Sequence, residues 1–444
     1  MTAAGAAVTV APRWRIAAPA AAARTADAVA ARAAVSAPPT WTTKSRSEQP
    51  AAFDGLGQSL SKLWPPSVQD PAPMQPLNPT YTRTFPPPVM EARRWIAGKA
   101  FPDDRPLINL RQAAPVDPPP DPLARAMARA LIEDPAAHLY GPVLGLPDLR
   151  AELAAQWSAG YGGTITEAQV AITAGCNQAF TAIMSTLAGA GDEVILPLPY
   201  YFNHKMWLDM EGVKTVPLPT DDSLIPEADA AERLITDRTR AIVLITPNNP
   251  SGAEYPAATL RAFFDLARRH GLALIVDETY RDFHSGDGAP HDLFADPDWD
   301  DTLIHLYSFS KAYRLTGHRV GAAIASPARL AEVEKFLDTV AICAPQVGQI
   351  GALWGMRNLK DWLASERLEI LARRDALLQG MARLPDWQLL GCGAYFAYLR
   401  HPFAAPSDQV ARAMVDAAGL LTLPGTMFGP TRAEGGDGQA ETTL

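Results

Sequence analysis

Residues 165–325 alternate between short apolar segments and segments with helical spacing, and this alternation constrains the fold more than any other feature of the chain. The helical segments include one from Asn177, one through HKMWLDM and one at 256–270. The apolar segments are QVAIT (169–173), DEVILPL (192–198), VKTVPL (213–218), AIVLIT (241–246), ALIVDE (273–278), TLIHLYS (302–308) and HRVGAAIAS (318–326). Strands that are apolar throughout occur in sheets covered by helices on both faces. We therefore predict an α/β fold with a mostly parallel central sheet flanked by helices.

After Ser326 the pattern is helical for about fifty residues. Two short predicted strands follow, in WQLLG and AYFAYL, and then a predicted helix at 408–418. This mixture lacks the regular alternation of the preceding part. It predicts a second, smaller α+β domain.

Residues 1–90 differ in composition from the rest of the chain. The stretch AAPAAAARTADAVAARAAVSAPP is dominated by alanine and can bury little beyond methyl groups, so we predict a disordered N-terminal extension. The first fifty residues are poor in acids and contain arginine, which leaves an organelle transit peptide as an alternative. The interpretation that we favour is an alanine-rich leader ahead of a working start at Met74 or Met90.

Composition excludes several classes of partner. A formal net charge of -9 without a basic stripe argues against nucleic acid. No apolar run approaches the ~20 residues of a membrane span. The three cysteines, Cys176, Cys343 and Cys392, are far apart and form no metal-ligand pattern, so we predict no disulfide framework and no metal site. A reducing cytoplasm is the compartment that we expect.

Polar and reactive side chains follow the ends of the predicted strands. Each alone has a plain structural explanation, such as a turn, a helix cap, a core aromatic ring or a surface charge. In an open parallel sheet, however, ligands bind just beyond the carboxyl ends of the strands, where these side chains would converge. The set comprises Cys176, Asn177, Tyr201, Asn249, Asp277, Tyr280, Ser308, Lys311 and Arg319.

Pyridoxal 5'-phosphate is the one ligand whose functional groups match the whole set of side chains. Its aldehyde requires an amine for a Schiff base, which Lys311 would supply. Its ring nitrogen stays protonated beside a carboxylate, for which Asp277 is the candidate. Its phenolic oxygen accepts hydrogen bonds, for which Tyr280 and Asn249 are the candidate donors.

The remaining candidates suit the phosphate group and the flat face of the same ligand. A phosphate binds a guanidinium, hydroxyls and the free amides of a helix start. Arg319, Ser308 and the amides of Cys176 and Asn177 provide these groups. Tyr201 would cover the ring face.

Seven segments, in order and spacing, resemble the class I/II aminotransferases of the aspartate-aminotransferase fold (fold type I). They are YGPVLGLPDLR, ITAGCNQA, LPYYFNHKMW, TPNNPSG, VDETY, SFSKAYRLTGHRVG and LPGTMFG, and the resemblance covers roughly 105–430. It implies an N-terminal segment and arm of the small domain at 91–140, a large cofactor-binding domain at 141–335 and a small domain at 336–444. It also implies a homodimer, because the family tyrosine that matches Tyr140 reaches the phosphate of the neighbouring subunit.

The resemblance further implies ping-pong transamination between an amino acid and a 2-oxo acid. Lys311, once displaced from its Schiff base, would be the general base that moves the Cα proton, and Asp277 would stabilise the carbanion. The aromatic segment YYFNHKMWLDM suggests an apolar or bulky substrate side chain.

Two departures from the family pattern matter. INLRQAAP places Ala113 where the family has a glycine whose backbone contacts the substrate carboxylate. The family's substrate-carboxylate arginine follows the segment that matches LPGTMFG, but here Arg432 is the only arginine beyond Phe428 and lies in a polar loop, where a solvated charge is the better interpretation. We therefore expect a C-terminally truncated small domain and a weakly active or unstable protein.

Three alternatives to an active aminotransferase stay open at this point. The same cofactor residues serve C–S lyases and other chemistry at the α-carbon. The fold also occurs in regulators fused to DNA-binding modules, although no helix-turn-helix pattern is evident here. The third alternative is a truncated chain that binds the cofactor and has little activity.

Overall fold

The computed structural model describes residues 75–444, so most of the predicted disordered extension lies outside the described residues. The end of that extension is corrected, because α1 (Pro79–Arg83) and the start of α2 (Pro88–Trp95) fall before residue 90. The side chain of Asn78 accepts a hydrogen bond from the amide of Thr80 (3.1 Å). A proline at the first position of a helix loses no hydrogen bond, which is why this proline-rich segment can still be helical.

Helices and strands alternate through the middle of the chain much as the apolar pattern predicts. The other helices are α3 (Asp121–Glu133), α4 (Pro147–Tyr161), α5 (Cys176–Ser185), α6 (Phe202–Met210), α7 (Ala228–Glu232), α8 (Ala257–His270), α9 (Phe309–Ala312), α10 (Pro327–Ala341), α11 (Gln346–Asn358), α12 (Lys360–Met381), α13 (Ser407–Ala418) and α14 (Gln439–Thr442). The strands are β1 (Ile108–Asn109), β2 (Val170–Thr173), β3 (Glu193–Pro197), β4 (Lys214–Leu218), β5 (Thr239–Ile245), β6 (Ala273–Asp277), β7 (Leu303–Ser308), β8 (Gly321–Ile324), β9 (Gln388–Gly393), β10 (Phe396–Arg400) and β11 (Leu420–Leu421).

The central sheet has seven strands in the order β2-β8-β7-β6-β5-β3-β4. Strands β7, β6, β5, β3 and β4 run parallel, whereas β8 is antiparallel to both of its neighbours. The sheet is therefore mostly parallel, as predicted. The carboxyl ends of β6 and β7 lie side by side, which brings the residues that follow these strands to one edge of the sheet.

Two apolar cores cover the two faces of the sheet. Trp157 and Phe263 pack into one core with Val276, and Phe180 packs into the other with Ile275. The neighbouring residues Ile275 and Val276 thus belong to opposite faces, because side chains alternate along a strand. This alternation also decides the direction of the polar residues at the end of β6.

A third core joins segments that are far apart in the sequence. It includes Trp95 of α2, Val410 and Val415 of α13, and Leu444. Backbone hydrogen bonds join Leu444 to Leu399 in both directions (3.0 and 2.8 Å), beside the antiparallel pair β9–β10. The boundaries 91–140, 141–335 and 336–444 stay predictions. Within residues 75–444, no helix combines the length and the apolar character needed to cross a membrane.

Candidate active site

The carboxylate of Asp277 lies at the buried end of β6, with 4% of the residue exposed. Its Oδ1 accepts a hydrogen bond from the amide of Thr279 (3.0 Å), and the Cys176 thiol lies 3.7 Å from Oδ2. Burial raises the pKa of Asp277, while the hydrogen bonds from Thr279 and Cys176 oppose the rise. Because the Asp277 carboxylate is buried, a cation can pair with it only if that cation is also buried beside it, away from water.

His204 is a neighbour of Asp277 that the sequence analysis missed. Its Nε2 lies 3.5 Å from Oδ2 of Asp277, and its ring stacks on Phe180 with 3.8 Å between ring centroids. Burial lowers the pKa of His204 to about 3, so the imidazole is neutral near pH 7. A helical spacing of three residues from Tyr201 could have indicated that both side chains lie on one face of α6.

Lys311 lies on the short helix α9 that follows β7. Its Nζ donates a hydrogen bond to the carbonyl oxygen of Ala113 (2.7 Å) and lies 5.6 Å from the centroid of the Tyr280 ring. Burial, together with the positive charge of Arg319, lowers the pKa of Lys311 to about 8. A lysine in this state offers an appreciable fraction of uncharged amine near neutral pH, as a nucleophile or a general base requires.

Tyr280 and Asn249 meet beside the lysine. The Asn249 side-chain amide lies 3.5 Å from the Tyr280 hydroxyl. Burial raises the pKa of Tyr280 well above its ordinary value, so its phenol stays protonated and can donate a hydrogen bond. The two side chains therefore present donors to the space next to Lys311.

The amino-terminal end of α5 and the side chain of Arg319 form a cradle. Arg319 Nη1 donates to the carbonyl oxygen of Thr316 (3.0 Å) and to the Ser310 hydroxyl (3.4 Å). The Ser308 hydroxyl in turn accepts from the Ser310 amide (3.3 Å). Free amides at a helix start, a guanidinium and hydroxyls are together a suitable site for a phosphate group.

Two glycines allow the parts of this cradle to approach each other. A Cβ atom on Gly175, where φ is +87°, would collide with the guanidinium of Arg319. A Cβ atom on Gly321 would lie 2.5 Å from the backbone nitrogen of Cys176. Larger residues at either position would separate Arg319 from α5.

Tyr201 and Asn177 lie on another side of the space next to Lys311. The Tyr201 hydroxyl lies 3.4 Å from Oδ1 of Asn177 and accepts a hydrogen bond from the Asn203 amide (2.8 Å). Burial raises the pKa of Tyr201 to about 12. The Tyr201 ring makes an edge contact with His204, with 5.1 Å between centroids.

Two of the residues singled out in the sequence lie on the surface. Tyr140 is 78% exposed, and no hydrogen bond joins it to the cluster within residues 75–444. Arg432 has a side chain that is 70% exposed, and its Nε lies 3.3 Å from Glu441, as expected of a loop charge. By contrast, Ala113 reaches the cluster directly through its carbonyl oxygen.

Replacement of Gly175 by alanine tests the cradle. The added Cβ would displace Arg319 and strain a backbone with φ of +87°, which costs about 1 kcal/mol or more. We expect Gly175→Ala to weaken binding of pyridoxal 5'-phosphate at least about tenfold, measured by fluorescence titration. Gly189→Ala is the control, because no atom lies within 4 Å of its added Cβ. Equal affinities of the two variants would contradict the cradle.

Comparison with known proteins places this geometry in a family. A family model described as aminotransferase class I and II matches residues 105–435. Aromatic aminotransferase ISS1 of Arabidopsis thaliana is 31% identical over 312 residues, which cover 68% of this chain and 77% of that protein. Arginine–pyruvate transaminase AruH of Pseudomonas aeruginosa is 30% identical over 300 residues, which cover 66% of this chain and 76% of that protein.

A solved structure agrees with these matches. Aspartate aminotransferase from Thermus thermophilus with maleate has a TM-score of 0.74 at 25% identity, and the match covers 80% of this chain and 93% of that chain. The family resemblance, the α/β fold and the expectation of a transaminase are confirmed. Because the family model spans well over half of the chain, this protein belongs to the class I and II aminotransferases.

Proposed function

We propose that the protein is a pyridoxal-phosphate-dependent aminotransferase that works by a ping-pong mechanism with Lys311 as covalent anchor and general base. One observation carries the proposal. The Lys311 amine is largely buried, hydrogen-bonded only to a carbonyl oxygen among the described residues, and has a pKa lowered to about 8. A buried amine with no carboxylate partner is costly to maintain, and a covalent role explains it.

The residues at the site fit this cofactor. Its phosphate would bind at the start of α5 and Arg319, whose Nη1 has only neutral oxygen partners within residues 75–444. Its ring nitrogen would pair with Asp277, and its phenolic oxygen would accept from Tyr280 and Asn249. Pyridoxal phosphate, when bound, supplies an aldehyde for attachment to amines and a ring that draws electrons from the substrate α-carbon.

The side chains of this chain then perform three tasks. Lys311, when its amine is free, removes the proton from Cα of the amino acid. Asp277 stabilises the positive charge of its ring partner in a space from which water is excluded. Tyr201 restricts the orientation of the bound molecules from one side. The amino donor leaves as a 2-oxo acid before the acceptor binds, which is the ping-pong order.

We propose a homodimer with Tyr140 at its interface. Exposed apolar side chains near this position support the proposal: Tyr140 is 78% exposed, Leu139 66% and Ile132 84%. A second copy would remove this surface from water.

We also propose a reducing compartment, the cytoplasm, because Cys176, Cys343 and Cys392 are all free thiols.

We propose aromatic or other large apolar amino acids as donors. Beside Tyr280 lie two further rings, Phe396 with 4.8 Å and Tyr395 with 6.4 Å between centroids. The similarity to an aromatic aminotransferase supports the same choice. The alternative of a C–S lyase is not favoured by any of these matches.

A single-turnover assay tests the proposed function. Protein saturated with pyridoxal phosphate is mixed with one amino acid at a time, without an acceptor, and 2-oxo acids and ammonia are quantified. We expect about one 2-oxo acid per active site from phenylalanine or tyrosine, no ammonia, and restoration of the starting spectrum by added 2-oxo acid. Continuous release of pyruvate and ammonia from cysteine would instead establish a lyase. No product from any amino acid would refute the proposal.

A further inference from the structure

Arg314 lies three residues beyond Lys311 and has no part in the mechanism proposed above. Its Nε and Nη2 donate to Oε2 of Glu366 (3.1 and 2.6 Å). Its Nη1 donates to the carbonyl oxygen of Pro118 (3.4 Å) and lies 3.6 Å from Oδ2 of Asp117. The side chains of Arg314 and Glu366 are each only 19% exposed. One guanidinium therefore joins the turn after α9, helix α12 and the proline-rich segment that contains Pro118.

The backbone at Arg314 has a conformation that favours glycine. Its φ is +56°, in the left-handed region that glycine adopts freely and that a residue with a Cβ atom adopts only at an energetic cost. The contacts of the arginine side chain offset this cost. Backbone strain of this kind is concentrated at functional sites, which points to a use for the side chain beyond solubility.

Residues 113–118 are tied to the region of α9 at both ends. At one end the Ala113 carbonyl oxygen accepts a hydrogen bond from Lys311 Nζ (2.7 Å), and at the other end Arg314 reaches Pro118. Within the described part of the chain, no backbone–backbone hydrogen bond involves residues 112–118. The position of this segment therefore depends on side-chain contacts.

The contact at the Lys311 end changes when the cofactor becomes attached. Condensation of the uncharged amine with an aldehyde forms a C=N double bond, and the two amine hydrogens leave with the aldehyde oxygen as water. Nζ then keeps at most one hydrogen, the one that it gains when the C=N nitrogen is protonated. The charge and the contacts of Arg314 are not altered by this step, so Arg314 is the tie that remains.

Helix α12 gives the Arg314–Glu366 pair a fixed base. Arg367, the residue after Glu366, donates to the carbonyl oxygens of residues 284–286 (2.7, 3.0 and 2.9 Å). These residues form the loop that follows Tyr280. Neighbouring residues of one helix thus hold both this loop and the turn after α9, and each of these two segments follows a residue of the candidate active site.

We propose that Arg314, together with Glu366, holds residues 113–118 beside Lys311 and thereby sets the affinity for the amino acid, a role that rests on the proposed function. A molecule whose proton is removed by Lys311 Nζ must lie beside Ala113, because the amine and the Ala113 carbonyl oxygen are 2.7 Å apart. Arg314 is a positioning residue, since it acts through this segment and touches no reacting atom.

Removal of the Arg314 side chain tests this role. Arg314→Ala should raise KM for phenylalanine at least about tenfold and leave kcat within about threefold of wild type, because the lost contact supports binding and not the reacting atoms. The dissociation constant of 3-phenylpropanoate, an analogue that lacks the amino group and cannot react, should rise by a similar factor. Steady-state kinetics and absorbance titration of the holoenzyme measure these constants.

Arg314→Gly separates positioning from stability. Glycine loses the same contacts but adopts a φ of +56° without cost, so this variant should melt no lower than Arg314→Ala while KM is raised as much. Arg268→Ala is the matched control. Arg268 also pairs with a carboxylate, that of Asp296 (2.9 and 2.7 Å). It lies 4.5 Å from the ring of Phe264, much as Arg314 lies 5.4 Å from that of Trp362. This control should leave KM unchanged.

Glu366→Gln tests the other end of the pair with a side chain of the same size. It should raise KM at least about threefold, and Arg314→Ala/Glu366→Gln should have no higher KM than Arg314→Ala, because both residues act through one contact. An unchanged KM in Arg314→Gly or Glu366→Gln, or an equal rise in Arg268→Ala, would overturn the proposal. If neither Arg314 variant folds, Glu366→Gln decides alone. Absence of turnover in wild type would instead refute the proposed function.

Discussion

Lys311→Ala is expected to abolish turnover and covalent attachment of pyridoxal phosphate. The variant lacks the only amine that lies against the Tyr280 ring and the Ala113 carbonyl oxygen within residues 75–444. It loses both the anchor and the base that removes the Cα proton. General-base catalysis alone contributes about 10²–10⁴ in rate, so we expect kcat to fall by at least about 10⁴-fold.

Absorbance and mass spectrometry measure the anchor, and a coupled 2-oxo acid assay measures turnover. After borohydride reduction, wild type should gain the mass of one cofactor and the variant none. Lys335→Ala is the control, because this exposed lysine pairs only with Glu332 on the outside of α10. A cofactor still attached at another lysine in Lys311→Ala, or turnover above a thousandth of wild type, would refute the assignment.

The lowered pKa of Lys311 predicts how cofactor capture depends on pH. The uncharged amine is the nucleophile, and its fraction grows as pH rises towards the pKa of about 8. The rate constant for capture by cofactor-free protein should therefore rise about tenfold per pH unit below 8 and level off above it. A profile that continues to rise to pH 10 would show that Lys311 has the ordinary pKa of a lysine. Stopped-flow absorbance at constant ionic strength gives these rate constants.

The sheet could be predicted from the sequence because all of its central strands are buried on both faces. Segments such as AIVLI (241–245) and ALIV (273–276) are apolar throughout, and this is a signal of strand burial that needs no knowledge of neighbours. The direction of β8 could not be predicted in the same way, because an apolar run does not indicate whether the strand lies parallel or antiparallel to its neighbours. The short strands β1 and β11, two residues each, have no pattern to detect.

Some residues of the candidate site could also be predicted from the sequence, whereas others could not. Residues that follow strand ends, such as Lys311 and Asp277, could be predicted because chain geometry alone brings strand ends together. His204 and His305 could not be predicted from the sequence to lie beside these strand ends. The first is one polar residue on a short helix, and the second is one histidine inside the apolar segment TLIHLYS. Their partners, Asp277 and Glu278, become evident only when β6, β7 and α6 are packed together.

Asp277→Asn is expected to separate cofactor binding from catalysis. Asparagine preserves the size of the side chain and can still accept from the Thr279 amide, but it removes the negative charge. Lys311 is unchanged, so the cofactor should still attach covalently. Loss of one pre-organised electrostatic partner in a site without water typically reduces kcat by about 10²–10³, or about 3–4 kcal/mol, and we expect this range.

The spectrum of the bound cofactor distinguishes loss of charge from loss of structure. If Asp277 holds the protonated ring nitrogen, the variant should show an altered absorption maximum and a normal melting temperature. Asp338→Asn, on the exposed side of α10, should leave both kcat and spectrum unchanged. Full turnover by Asp277→Asn would mean that the buried carboxylate, despite its position beside His204 and Cys176, has another purpose. Burial raises the pKa of Asp277, so keeping this carboxylate ionised is costly, and a cationic partner in the same space would offset that cost.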